Sequence, residues 1–428
     1  MMKDKCKYKQ TAKGMIPEEW VIKTIDELGG IVTGKTPKTA IKENFGKEYP
    51  FITPRDMKGQ KYVRETERYL SYKGMMSIKN CRLPKNAICV SCIGSDMGKV
   101  TITTKDSLSN QQINSVIPNI STDFVYYALL YNSAHLKNMG KQSTAVPILN
   151  KSQFSRIEIA LPSDKGEIES IARILSSFDS KIEINQRYNK VLEEIGQTVF
   201  KHWFIDFEFP DKNGRPYKSR GGEMIDSELG DIPKGWKVGK LRELLECIKK
   251  PLKAGDTIKG RYYVPIDCLP MKNLGLRTYL PHTEAKSSLI GFEKDDILIG
   301  AMRIYFHRVC VAPFTGVTRT TSFVLRPRVK EHLCYSLLLL NRNETIEYAN
   351  MHSKGSTMPY AVWDGSLAEM KIVIPNSDIL NEFNSLYYQL LEKMRDSIHV
   401  NMRLEKIRDL LLLELMSGKI RVPVEARV

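Results

Sequence analysis

The sequence predicts an α+β chain: two repeated strand-rich modules separated by a pair of long antiparallel coiled-coil helices. Three observations carry that reading. Short motifs recur in the same order a little over 200 residues apart, two uninterrupted stretches space their apolar residues by threes and fours, and the positive charge lies outside those stretches. With 428 residues the chain has room for two or three domains.

The repeat comes first, because it sets the architecture. Ile16-Pro17-Glu18-Glu19-Trp20 returns as Ile232-Pro233-Lys234-Gly235-Trp236, and Lys85-Asn86-Ala87-Ile88 as Lys294-Asp295-Asp296-Ile297. Tyr127-Ala128-Leu129-Leu130 returns as Tyr335-Ser336-Leu337-Leu338, Ser143-Thr144 as Ser356-Thr357, and Leu161-Pro162 as Ile374-Pro375. Finally Ile184-Asn185-Gln186-Arg187 answers to Val400-Asn401-Met402-Arg403. Ordered matches with drifting offsets indicate a duplication with loop insertions. The period is far longer than that of a solenoid repeat, so each copy is large enough to hold its own core.

Seven segments follow: a basic tail 1–14, a first module 15–164, a first long helix 165–204, a connector 205–231, a second module 232–378, a second long helix 379–417 and a tail 418–428. In the modules, short apolar runs such as 87–92, 112–117 and 154–161 sit between Gly, Asn, Asp and Ser clusters, the mark of strands and turns. In the last run Phe154, Ile157, Ile159 and Leu161 partly alternate. A short helix is expected at 123–137, and its counterpart at 332–341. The second module adds strands at 296–302, 322–325 and 370–374.

The helices are read from spacing. The first carries Ile168, Ile171, Leu175, Phe178, Ile182, Asn185, Tyr188, Leu192, Ile195, Val199 and Trp203. The second carries Phe383, Tyr387, Leu390, Met394, Ile398, Asn401, Leu404, Ile407 or Arg408, Leu411 and Leu415. No proline interrupts either. That is a coiled-coil seam, about 54 Å long for 36 residues at 1.5 Å each. Two such helices in a duplicated chain pair with each other, and a pseudo-twofold makes the pair antiparallel. Asn185 and Asn401 fall at matching places on the seam, where a polar residue can fix register.

Charge and missing motifs narrow the function. The net charge is +16. The first module holds 20 basic and 14 acidic residues and the second 22 and 14, while the helices are near neutral. That favours a polyanionic partner for the modules. No GxxxxGK[ST], HExxH, Asn/Asp-Pro-Pro-Tyr/Phe run or nuclease-type Pro-Asp…Asp/Glu-x-Lys occurs, so no motif recommends an enzyme. Eight cysteines in so long a chain do not form a disulfide scaffold. The pair Cys89 and Cys92 reads as buried strand. The first residues lack the apolar core of a secretory signal, and no stretch of 18 apolar residues occurs, so a cytoplasmic, reduced setting without a membrane is expected.

Further motifs carry a family resemblance. They are Gly34-Lys35-Thr36-Pro37, Ile52-Thr53-Pro54-Arg55-Asp56-Met57, Gly94-Ser95-Asp96-Met97-Gly98-Lys99-Val100 and Asn110-Gln111-Gln112-Ile113. The junction Trp203-Phe204-Ile205-Asp206-Phe207-Glu208-Phe209-Pro210 belongs with them. So do the run Asp226 through Trp236 and the tail Leu415-Met416-Ser417-Gly418-Lys419-Ile420. In this order, over nearly the whole chain, they resemble the specificity (S) subunit of a type I restriction–modification system. The resemblance implies that each module is a target-recognition domain reading half of a split, double-stranded DNA target. It implies that the helix pair spaces the halves and docks methyltransferase (M) subunits. It further implies no cofactor in this chain, with S-adenosylmethionine on the M subunits and ATP and Mg on restriction (R) subunits.

Candidate DNA contacts in the first module are Lys35, Thr36, Arg55, Lys99, Gln111 and Gln112: cations for phosphate, amides for an adenine edge. In the second they are Arg303, Arg308 and Arg319. There the motif from Gly94 gives way to Gly300-Ala301-Met302-Arg303-Ile304-Tyr305-Phe306, and Asn110-Gln111-Gln112 to Thr318-Arg319-Thr320, which fits an asymmetric target. The alternatives are an RNA-binding or other nucleic-acid adaptor, a coiled-coil assembly scaffold and, last, a catalytic nuclease or methyltransferase.

Overall fold

The computed structural model describes residues 7–12, 14–141, 148–211, 213–286 and 288–422. Ser143-Thr144 and the two chain ends lie outside the described residues. Contacts divide the chain into two compact units, Met1–Ile182 with Arg403–Val428, and Glu183–Met402.

In the first unit a five-stranded sheet has the spatial order Gly29–Thr33, Ile113–Pro118, Ile88–Ser91, Val100–Thr103, Tyr62–Val63. Ile88-Cys89-Val90-Ser91 is buried throughout, as a short continuous apolar run predicts. Burial pushes the Cys89 thiol up to about 12 and the Cys92 thiol up to about 11, so both stay protonated core residues. A second pairing, Trp20–Thr24 with Glu158–Pro162, buries Trp20 completely.

Two expectations here need correction. The helix at 123–137 is two helices, Thr122–Tyr131 and Ser133–Lys141. The Asn132 amide donates to the Ala128 carbonyl at 2.8 Å and marks the break. Phe154 is not in a strand. Asn150 and Gln153 form a reciprocal capping box that starts the helical turn Lys151–Ser155, and the strand begins only at Glu158.

The second unit repeats the order of the first four strands: Leu245–Cys247, Ser322–Pro327, Ile297–Gly300, Val309–Val311. A second sheet joins Pro251–Leu252, Leu289–Phe292, Gly316–Arg319, Tyr262–Tyr263 and Leu280–Pro281. The helix Leu333–Leu340 is buried on all sides, and a further helix, Asn343–Met351, follows it.

The long helices are Lys165–Phe200, continued by a π-helical turn Lys201–Ile205, and Ser377–Met416. Within the first unit Ile168, Ile171 and Leu175 share a core with Leu412, Leu415 and Met416, and Arg408 pairs with Asp179 at 2.6 Å. Within the second, Asn185 donates to Asn401 at 2.7 Å and Asn189 to the Met394 carbonyl at 3.4 Å. Rising numbers on one helix meet falling numbers on the other, so the pairing is antiparallel in both units. The seam differs in detail from its expected face. Tyr188, Ile195 and Ile407 are exposed, and Asn189 and Gly196 lie inside. A Cβ at Gly196 would overlap the Tyr387 ring, so glycine there lets the second helix approach with that ring against the first. The junction closes the second core: Phe204 lies 4.8 Å from both Phe383 and Tyr335, and Phe209 stacks on Trp236.

Candidate nucleic-acid interface

Backbone bonds gather the first module's candidates into one loop cluster. The Gly34 and Lys35 amides donate to Ile113 and Ser109 carbonyls, at 3.0 and 2.9 Å. The Asn110 amide donates to Ile52 at 3.1 Å, and Cys92 to Gln112 at 2.8 Å. The sheet thus brings together loops that are far apart in sequence. Side chains add two ties. The Thr36 hydroxyl donates to Gln111 Oε1 at 2.8 Å, and the Asn110 amide to Gln112 Oε1 at 3.0 Å. Lys35, Arg55 and Gln111 are exposed. Lys99 is half-buried: its ammonium donates to the Pro54 carbonyl at 3.3 Å and pairs with Asp96 at 2.6 Å.

The second module builds the same cluster with other side chains. Ser91 is opposite Ile113, and Gly300 is opposite Ser322. The Ser91 amide donates to Lys99, and the Gly300 amide to Arg308. Both comparisons give an offset of 209, so Gly94 corresponds to Arg303 rather than to Gly300. By the same offset Asn110 corresponds to Arg319, and Lys99 to Arg308. Arg308 repeats the Lys99 clasp: its guanidinium donates to the carbonyls of Ile266 and Leu269, the latter at 3.0 Å. The turn it holds, 265–269, has the bonding of 53–57, which places exposed Asp267 where the first module has exposed Arg55. Arg303 and Arg319 are exposed; Arg308 is largely covered.

One feature was not found from the sequence. Gly94 and Gly98 have φ of 53° and 83°, and their counterparts Arg303 and His307 have 51° and 53°. Non-glycine residues in the left-handed region cost about 1–3 kcal/mol each and persist only where surroundings over-determine them. Here His307 Nε2 lies 3.0 Å from both Asn341 oxygens, and the Arg303 amide donates to Pro359 at 2.7 Å. The signal was present in the repeat, as glycines replaced by Arg and His, but only the correct register reveals it.

A separate surface lies on the first long helix, where Ile184, Tyr188, Val191 and Ile195 are exposed at spacings of four, three and four. They form one apolar stripe on the helix.

Loops built twice on one backbone plan, with different side chains turned outward, are the architecture of a recognition subunit. The comparisons agree. Residues 17–194 match the model of the type I restriction modification DNA specificity domain. The MjaIX type I restriction enzyme specificity subunit of Methanocaldococcus jannaschii is 31% identical over 97% of this chain and 96% of its own length. The HindI specificity subunit of Haemophilus influenzae is 38% identical over 42% of this chain and 40% of its own. The crystal structure of a type I restriction–modification S subunit from M. genitalium has the same fold, with a TM-score of 0.55 at 18% identity over 92% of this chain and 96% of that one. The chain belongs to the family of type I restriction–modification specificity subunits, which recognise the DNA target and assemble the complex.

Among the described residues no three or more His, Cys, Asp and Glu form a group able to hold a metal ion, and no helix is long and apolar enough to cross a membrane.

Proposed function

We propose that the two modules read the two halves of a split, asymmetric DNA sequence, in the cytoplasm, and that this chain performs no chemistry itself. One observation carries the asymmetry: the same loop cluster is built twice, yet its outward residues differ in kind, Arg55 against Asp267 and Gly94 against Arg303. Lys35, Arg55 and Gln111 are the contacts in the first half-site, with Arg303 and Arg319 in the second. Thr36, Lys99, Gln112 and Arg308 position the loops, since each is tied to a neighbouring loop residue. Phosphate contacts fix orientation, and base edges give specificity. Asn185 and Asn401 set the register of the helix pair. The stripe from Ile184 to Ile195 is where an M subunit docks, bringing S-adenosylmethionine; R subunits bring ATP and Mg.

The helices set the spacing between half-sites, which insertion tests. Four residues added to each long helix extend it by about 6 Å. The complex with M subunits should then methylate a motif whose spacer is longer by roughly two base pairs. An unchanged spacer would rule out the helices as the ruler.

A further inference from the structure

The loop between the two left-handed residues of the second module holds two features that the reading above does not use. Tyr305 and Phe306 are exposed, at 48% and 38%, with ring centroids 5.0 Å apart. They lie on the short turn Ile304–Phe306, bounded by Arg303 and His307. The first module has Asp96 and a buried Met97 at these places, between Gly94 and Gly98.

The turn is held from every side. Ile304 is buried beneath it. The Phe306 amide donates to Arg303 at 2.9 Å and the His307 amide to Ile304 at 2.8 Å. The Lys272 amide donates to the His307 carbonyl at 2.8 Å, and Lys272 is itself left-handed, with φ of 51°. The Ala301 amide ties the base of the loop to Thr321 at 2.9 Å, two residues from Arg319. The Arg308 guanidinium lies 5.8 Å from the Phe306 ring centroid, a cation–π distance. Two apolar rings are therefore displayed on a rigid turn between two arginines, in a module with 22 basic and 14 acidic residues.

We propose that Tyr305 and Phe306 form a wedge that enters a base step of the second half-site. Apolar side chains inserted between base pairs unstack and kink the duplex, and the exposed Arg303 beside them meets a phosphate of the bent backbone while Arg308 stays turned inward. A preformed turn suits this, because rings already ordered lose little freedom on binding. The step that opens most easily is pyrimidine–purine, so the second half-site should contain a TA or CA/TG step. This inference rests on the two-module reading and adds to it an indirect, shape-dependent term in one module only.

The test uses the complex of the full chain with its M subunits. Methylation mapping of the wild-type complex supplies the duplex, which is then made with 2-aminopurine at each adenine position or its neighbour in turn. A fluorescence rise on binding is expected at one step of the second half-site, apart from any rise at the methylated adenines that the M subunits extrude. Tyr305→Ala with Phe306→Ala should abolish that rise and weaken binding about 5- to 150-fold. The same pair of changes should relax the sequence of that half-site alone. Tyr305→Leu with Phe306→Leu keeps apolar bulk at the turn and should retain part of the rise, which separates a wedge from a folding defect. A wild-type complex that methylates a split motif but opens no step overturns the wedge and leaves the two-module reading intact. A wild-type complex that methylates no split motif overturns the two-module reading, and the wedge with it.

Discussion

The first module turns its 94–98 loop with two glycines, and the second turns the equivalent loop with Arg303 and His307 at nearly the same φ. The strands below are paired in one order in both modules, and Lys99 and Arg308 clasp the same kind of turn. The difference separates two sorts of position. The clasping cation keeps its inward bond in both copies, as Lys99 and as Arg308, whereas Arg55 against Asp267 and Gly94 against Arg303 differ in sign or size. Outward side chains differ on a retained frame, and in the second module one of them, Arg303, sits in the left-handed region.

The largest effect that sharpens the comparison lies in the ion pairs of two covered arginines. Arg395 pairs with Asp295 at 2.6 Å in the second unit, and Arg408 with Asp179 at 2.6 Å in the first. Each arginine is largely covered, so removing it leaves a carboxylate poorly compensated. Arg395→Ala should cost about 3 kcal/mol. Hydrogen exchange should quicken in the second module, and Arg408→Ala should do the same in the first. Equal loss of protection in both modules from either change would break the picture of two separate cores.

Next comes the paired asparagine. Asn185→Leu removes the amide that donates to the buried Asn401 Oδ1 and should lower stability by about 1–3 kcal/mol in urea unfolding. Adding Asn401→Leu should recover most of that loss. A double variant no more stable than the single one would show that the two amides do not act as a pair.

The loop itself gives a gain. Arg303→Gly places in the second module the residue that the first already uses, and should raise stability by about 1 kcal/mol while weakening DNA binding. Stability unchanged or lowered would mean that the left-handed backbone is not strained.

The smallest effect concerns pH. Burial raises the Glu193 carboxyl above its ordinary range, against the amide of Leu274 and nearby Arg277, which lower it. A raised carboxyl binds more protons in the folded chain than in the unfolded one, so this group lowers stability as pH climbs from about 4.5 through its folded value. Glu193→Gln should stabilise the second unit slightly at neutral pH and flatten the profile above pH 4.5. A wild-type profile unaltered by the change would contradict this.

The sequence made the duplication, the long helices and the buried Cys89 strand legible, because these depend on order and period. It was less informative where one contact overrides the pattern. Gly196 and Asn189 displace Tyr188 and Ile195 from the seam, since an aromatic ring from the other helix needs the space that glycine leaves. Phe154 fits an alternating pattern, but the Asn150 cap turns it into a helix. Among the candidate contacts, loop position was legible from Pro and Gly settings, and orientation was not. Lys99 and Arg308 have the composition of phosphate ligands, yet both turn back onto main-chain carbonyls. Matching Gly94 to Gly300 on the shared glycine places that loop three residues short of its true counterpart, which hides the pairing of Gly94 with Arg303.

Assignment of one half-site to each module is tested most directly by single-base methylation maps from three complexes with M subunits. These contain the wild-type chain, a chain with Arg55→Ala and Gln111→Ala, and a chain with Arg303→Ala and Arg319→Ala. The wild-type map should show one split, asymmetric motif, with the first pair of changes relaxing one half and the second pair relaxing the other. A motif whose two halves respond equally to either pair would contradict independent reading by the two modules.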